Sequence, residues 1–208
     1  MSDVEIEPAV AADLFGEGIE VARAFTAALV EQGEERGLIG PLELPRIWTR
    51  HILNSAIAAP LMHGSVADIG SGAGLPGIVL AIARPDVRFT LIEPMERRVA
   101  WLDEQVASLA LTNVEVVRAR AEEARRQREF DVVTARAVSA LRALIPLTAP
   151  LARDGGELVL LKGANATNEI EAAQKPVKKY LLSDVRVEVL GEGVLSETTR
   201  VVRAVVRG

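Results

Sequence analysis

The sequence predicts an α/β fold: a doubly wound, seven-stranded sheet, parallel through five strands and closed by an antiparallel hairpin, with a small helical cap before it. Three observations predict this. From Ser65 onward, short β-rich runs alternate with helical stretches, the pattern of right-handed βαβ units. A glycine-rich loop directly follows the first run, at the carboxyl end of a strand, where such sheets bind ligands. The last two runs, VRVEVL (185–190) and TTRVVRAVVR (198–207), are joined by a GEG turn with no helix between them, which reads as a hairpin.

The elements follow in order. Phe15, Ile19, Ala22, Phe25 and Leu29 recur at helical spacing, with acids on the other face, so 9–36 reads as one amphipathic helix. Gly37 and Gly40-Pro41 end it. A second helix starts near Pro45, a good first-turn residue, and carries Ile47, Trp48, Ile52, Ala56 and Ala59 until Pro60 and Gly64. Strands are expected at 66–69, 89–93, 114–117, 130–135 and 156–162, with helices near 76–84, 96–110, 121–128, 138–151 and 166–174. The chain divides into a cap, 1–64, and a sheet domain, 65–208. Its 208 residues suffice for a sizeable core without staples.

Composition narrows the chemistry. There is no cysteine, which excludes a disulfide framework, a thiolate metal site and a Cys nucleophile; no metal is expected. The acidic start MSDVEIEPAV is unlike a signal or transit peptide. No run approaches the ~18 apolar residues of a membrane helix, so a cytoplasmic chain without membrane contact is expected. The net charge of -5 argues at first against a nucleic-acid partner, but it is unevenly spread. Residues 1–35 hold nine acids against one base, Arg23, leaving 23 bases and 20 acids for 36–208. Positive potential is therefore expected around the ligand pocket, with the acidic helix turned away. With only seven aromatic residues, a stacking platform for several bases is not available.

The glycine loop, DIGSGAGLPG (68–77), supplies the central inference. Gly70, Gly72 and Gly74 let a ligand approach the backbone, and the helix beyond offers free N–H groups. Gly72, Gly74 and Gly77 fit the dinucleotide spacing G-x-G-x-x-G, so a nicotinamide cofactor remains open on spacing alone. Two acids lean the other way. Asp68 puts a carboxylate where a pyrophosphate would be repelled and an ammonium welcomed. Glu93 ends the second strand, suited to ribose hydroxyls. A ribose plus an ammonium describes S-adenosylmethionine, and D-x-G-x-G-x-G with an acid after the second strand is the pattern of class I methyltransferases. Arg118-Ala-Arg120-Ala121-Glu122-Glu123 follows the third strand, where Ala121 and Glu122 could frame an adenine; Glu122 is equally suited to complement a helix N-terminus.

RHILNS (50–55), VADIGSGAGLPGIVLAIARPD (66–86), FTLIEPMERRVAWL (89–102), RAEE (120–123), FDVVTARAVSAL (130–141) and LLKG (160–163) together resemble the RsmG (GidB) methyltransferases, over about residues 36–208. The resemblance implies methyl transfer from S-adenosylmethionine to guanine N7 in a decoding-region loop of small-subunit (16S) ribosomal RNA. The implied partner is the small ribosomal subunit or its assembly intermediate; a monomer is expected, though the sequence itself is silent on oligomeric state. The resemblance also implies that Gly70, Leu75, Ala121, Glu122 and Arg136 contact the cofactor or line its pocket, and that Glu93 binds ribose. The stretch LIGPLELPRIW (38–48) departs from the N-L-T-type segment of many members.

Arg136 is the expected catalytic residue. It ends the fourth strand, facing the acceptor, where a charge is hard to explain as packing. Guanine N7 has an in-plane lone pair, so attack needs no general base; alignment and electrostatics suffice. The N-P-P-Y tetrapeptide of exocyclic amine methylation is absent after FDVVTA. Arg50, His51, Lys162 and Arg200 are candidates for RNA contact. Arg97-Arg98 and Arg125-Arg126-Arg128 read as solvated helix faces, and Trp48 and Trp101 as core. The rivals are a methyltransferase of this fold acting on a small molecule or protein, an NAD-dependent oxidoreductase, and a non-catalytic RNA-binding scaffold.

Overall fold

A computed structural model describes residues 4–124 and 130–207. The cap opens with α1 (Val10–Phe15) and α2 (Ile19–Gln32), separated by a 3-10 turn at Gly16–Gly18. The single helix expected over 9–36 is thus broken, because the backbone turns left-handed at Gly16 (φ +51°). The second cap helix is also irregular. A 3-10 turn at Pro41–Arg46 leads into a π-helical stretch, Ile47–Leu53, and a short α3 (Asn54–Ala56). Its wide turn is a form often found at functional sites.

The sheet then builds as β1 (Ser65–Ile69), α4 (Gly77–Ala83), β2 (Arg88–Glu93), α5 (Glu96–Ser108), β3 (Val114–Arg118), α6 (Ala121–Ala124), β4 (Phe130–Arg136), α7 (Leu141–Thr148) and β5 (Ala152–Lys162). It closes with α8 (Ala166–Ala172), α9 (Gln174–Lys179), β6 (Leu182–Leu190) and β7 (Thr199–Val206). The strand order is β3-β2-β1-β4-β5-β7-β6, parallel from β3 to β5 and antiparallel at β7 and β6. This is the seven-stranded sheet with a terminal hairpin that the sequence predicts. β5 starts earlier than expected, at Ala152 rather than 156. The helix expected over 121–128 is described only as Ala121–Ala124, and Arg125, Arg126 and Arg128 lie outside the described residues.

Strand parity assigns side chains to two layers. Val66, Val132, Val159 and Val201 pack toward the cap, α4 and α5, in one core with Phe15, Phe25, Leu29, Trp48 and Trp101. Ala67, Val133, Leu158, Leu160 and Val202 pack toward α6, α7 and the α8–α9 side. The cap therefore shares its core with one face of the sheet. Each fully buried side chain such as Phe25 or Leu29 contributes about 1.5–3 kcal/mol. The strand order reverses between β1 and β4, which sets the ligand crevice at their carboxyl ends.

Candidate active site

The glycine loop leaves β1 and turns back over the strand ends, with left-handed φ at Gly70, Gly72 and Gly74. Glu93, at the end of β2 and 1% exposed, holds it. One carboxylate oxygen accepts the Gly72 N–H (2.9 Å) and the other the Met95 N–H (3.0 Å). From α5, Trp101 donates its indole N–H to the Ala73 carbonyl (3.0 Å), and Arg36 of the cap stacks on the same ring.

Asp68 requires a correction. An open carboxylate facing an ammonium is expected, but the side chain is fully buried. Parity explains this: Asp68 shares the face of Val66 and points inward at α4. Its Oδ2 accepts the Gly77 N–H (3.0 Å), while Oδ1 has no hydrogen-bond partner among the described residues. Only glycine fits at 77, since a Cβ there would lie 2.5 Å from Asp68 Oδ2 and 2.3 Å from a Leu91 methyl. Burial, reinforced by the Glu93 charge, pushes the Asp68 carboxyl up to about 7. Asp68 thus anchors the loop to α4 and does not stand in the crevice.

Three cavities follow the carboxyl edge of the strands. One of about 440 Å³ lies beyond β2 and β3, lined by Met95, Arg120, Ala121, Glu122 and Val138. A second, of about 320 Å³, lies between the cap (Glu43, His51) and the loop residues Gly70, Gly72 and Leu75. The two meet where Gly70 faces Val138: a Cβ on Gly70 would sit 3.0 Å from a Val138 methyl. The third, of about 500 Å³, opens among Arg50, Asn54, Lys162, Thr199 and Arg200. Arg136 and Ala137 line both the second and the third. Ala137 holds φ +56°, a strained conformation for a residue with a Cβ, at the point where the chain crosses between them.

Arg136 occupies this partition for a reason the sequence did not disclose. With Val132 and Thr134 it faces the cap. One terminal nitrogen donates to the His51 carbonyl (3.2 Å) and Ser55 Oγ (3.1 Å). The other donates to the Arg50 carbonyl (2.8 Å) and His51 Nδ1 (3.1 Å). Four of the five guanidinium donors are spent on the cap. Arg136, the expected catalytic residue, thus lines both cavities while joining cap to sheet. Burial without a carboxylate on the guanidinium lowers its pKa to about 10.

The remaining candidates separate. Glu122 is exposed beside Ala121 in the cavity beyond β3, while Glu123 reaches back to the Arg120 N–H (2.9 Å), so the helix-end role falls to the neighbour. His51 is mostly covered, with both ring nitrogens engaged by Glu43 and Arg136. Arg50 is exposed and pairs with Glu43 (3.2 Å). Lys162 lines the third cavity, but its ammonium is 2.8 Å from both Glu169 and the Ser139 carbonyl. Its side chain is 9% exposed, so the expected reach to RNA phosphate is corrected to a clamp on the 137–141 loop. Arg200, across the β5–β7 pair from Lys162, has no ion-pair partner among the described residues. Arg98 is not on a solvated face: it lines the second cavity, 4.0 Å from Glu93. The described acids of 1–35 line none of the three cavities.

A family model described as GidB, rRNA small subunit methyltransferase G, matches residues 18–198. The chain belongs to this family. Its relatives include the "Ribosomal RNA small subunit methyltransferase G" of Leifsonia xyli subsp. xyli, 68% identical over 98% of both chains. The protein of the same name from Clavibacter michiganensis subsp. michiganensis is 66% identical over 97% of this chain and 96% of that one. Among solved structures, the N-methyltransferase NodS from Bradyrhizobium japonicum WM9, in complex with S-adenosyl-l-homocysteine, aligns with TM-score 0.59 at 18% identity, over 85% of this chain and 98% of that one. That likeness supports the class I methyltransferase fold. Membership of the family removes the dinucleotide reading of the glycine loop.

Sequence reasoning missed Glu43, Trp101 as a loop anchor, and Glu169. Asn54 and Ser55 lay inside a quoted motif without a role. Asn54 accepts the Thr199 hydroxyl through its carbonyl (2.9 Å) and side-chain oxygen (2.8 Å), and Ser55 accepts from Arg136.

Proposed function

We propose that the chain transfers a methyl group from S-adenosylmethionine to N7 of a guanosine in small-subunit (16S) ribosomal RNA. The observation that carries this reading is the Arg136–Ala137 partition, with cofactor-type cavities on one side and a cation-lined cavity on the other. It lies within the stretch matched by the family.

The residues present fit the cofactor. The cavity beyond β3 suits an adenine against Met95, Ala121 and Val138, with Glu122 for the exocyclic amine. Glu93 lies between that cavity and the glycine loop, where its second lone pairs suit ribose hydroxyls. The backbone at Gly70 and Gly72 and the side chain of Leu75 line the space left for the methionine end. When bound, S-adenosylmethionine supplies an electrophilic methyl carbon.

The chain itself needs no general base, because N7 offers a lone pair without losing a proton. Its work is alignment. The partition fixes where acceptor and donor face each other. Arg50, Arg136 and Arg200 give the acceptor cavity its positive lining, with Lys162 paired to Glu169 and Glu197 as the opposing acid; Arg200 supplies a cation without an ion-pair partner among the described residues, suited to phosphate. One pocketed base and backbone contacts are enough for such recognition. We read the acting unit as a monomer, since one chain lines all three cavities, and its setting as the cytoplasm, with the small subunit or its assembly intermediate. Among the described residues, no helix is long and apolar enough to cross a membrane.

Mapping N7-methylguanosine in 16S rRNA from a strain lacking the gene tests the reading. One such modification disappears and returns on complementation; persistence of every one refutes the substrate assignment. Calorimetry with S-adenosylhomocysteine and with NAD tests the cofactor, and binding of NAD alone would overturn it.

A further inference from the structure

We propose that Glu43 is a positioning residue that holds Arg136 in the partition through one tautomer of His51. The proposal deepens the methyltransferase reading but is tested independently of it.

The geometry is a closed ring of contacts. His51 Nε2 lies 2.7 Å from a Glu43 oxygen, and His51 Nδ1 lies 3.1 Å from an Arg136 nitrogen. A guanidinium has donors and no acceptor, so Nδ1 must accept and carries no proton. The single ring proton therefore sits on Nε2 and is donated to Glu43. The same Glu43 oxygen is ion-paired with Arg50 Nε (3.2 Å), and the Arg50 carbonyl accepts from Arg136 (2.8 Å). Each member fixes the next, and the neutral Nε2–H ring alone satisfies both neighbours. A proton on Nδ1 would meet the Arg136 N–H head-on.

The surrounding charges agree. Burial and the Arg136 and Arg50 cations hold the His51 pKa below its usual value of 6.5, with Glu43 opposing them. Arg46 also acts on Glu43. Glu43 belongs to the 38–48 stretch, on the 3-10 turn Pro41–Arg46 that leads into the π-helical segment carrying His51. Without Glu43, the Arg136 donor alone selects between the two neutral tautomers, and the Nε2–H form loses the carboxylate bond that favours it. The Nδ1–H form then expels Arg136 from its place, and the wall shared by the two cavities shifts.

The chain has two histidines, His51 and His63, so nitrogen-15 histidine labelling gives two rings, and His63→Asn assigns them. At neutral pH, long-range proton–nitrogen spectra should show His51 bare at Nδ1 and protonated at Nε2. Glu43→Ala should mix or reverse this pattern and lower kcat by about tenfold or more, as small misplacements at a reacting centre do. Glu43→Gln, whose side-chain oxygen still accepts, should keep the tautomer and most of kcat. A wild-type ring protonated at Nδ1 overturns the proposal, as does a Glu43→Ala protein with unchanged tautomer and kcat. Should rRNA prove not to be the substrate, the tautomer measurements still decide the proposal.

Discussion

Asp68 and Asp131 lie on neighbouring strands, at opposite ends of the β1–β4 pair, and their surroundings treat them in opposite ways. At the amino end, Asp131 accepts the Ser65 N–H (2.8 Å), the Ser65 hydroxyl (2.9 Å) and Arg153 Nε–H (2.6 Å). These hydrogen bonds, the Ser65 backbone first, hold its carboxyl down at about 2. At the carboxyl end, Asp68 is fully buried, has one oxygen without a partner and is pushed up to about 7. The difference teaches where this protein keeps its polar strain. Asp131, at the amino end, is satisfied and stabilising. The carboxyl end holds an orphaned oxygen, a left-handed Ala137 and a buried guanidinium, all around the crevice.

Removing the cation at the carboxyl end should have the largest effect. Arg136→Ala deprives the Arg50 and His51 carbonyls, His51 Nδ1 and Ser55 Oγ of one donor group. The cap then loses its tie to β4. We expect kcat/KM for rRNA methylation to fall by about 100-fold, with about 1–3 kcal/mol of stability lost in urea unfolding. Arg136→Lys should not rescue, because an ammonium cannot span four acceptors in two directions. A lysine variant with wild-type activity would mean that the fork geometry is irrelevant.

The two aspartates should then give opposite pH dependences. Asp68 has a folded pKa above its ordinary 3.8, so the folded state holds the extra proton between about pH 4 and pH 7. Stability through this group falls as pH rises across that window. Relative to Asp68→Asn, the wild type should weaken by about 2–3 kcal/mol between pH 5 and pH 8 in parallel urea titrations. Asp131 has a folded pKa below 3.8, so its contribution is present above about pH 4 and lost as pH falls through about 2. Asp131→Asn should cost about 1–2 kcal/mol at pH 7 and nothing near pH 2, with cofactor affinity unchanged. Parallel slopes for the two variants would erase the contrast between the ends.

Much of this was legible in the sequence, and what was not has physical causes. Alternating strand and helix patterns gave the sheet, because each run's burial depends on its own spacing. The glycine loop and Glu93 were legible because a turn at a strand's end constrains residue type locally. The break at Gly16–Gly18 left a signal, two glycines, that apolar periodicity outweighed. Arg136 could be placed but not given its role, since its partners are two carbonyls and a hydroxyl 81–86 residues earlier in the chain. Glu43 reaches His51 only because 3-10 and π turns bring positions eight apart together, a spacing no regular helix selects. Asp68 and Lys162 share a simpler cause. Strand parity turns each toward a packed layer, and a residue at a strand end was read as facing the ligand when its parity pointed elsewhere.

Lys162 and Arg200 sharpen that last point, with the smallest expected effects. They sit opposite each other on β5 and β7, so sequence position alone makes them equivalent candidates for phosphate. The Lys162 ammonium is bound to Glu169 and the Ser139 carbonyl, and Glu169 also accepts the Leu141 N–H (2.6 Å) at the start of α7. Its charge is already neutralised within the fold. Lys162→Met should therefore leave the salt dependence of rRNA binding unchanged while costing about 1 kcal/mol of stability as the 137–141 loop loosens. Arg200 has no such partner among the described residues, so Arg200→Ala should leave stability unchanged and reduce the slope of log K against log salt by about 1, one phosphate contact. Filter binding across a salt series measures both. If the Lys162 variant loses the slope and the Arg200 variant keeps it, the ion pair with Glu169 opens on binding and the acceptor cavity presents the opposite strand to RNA.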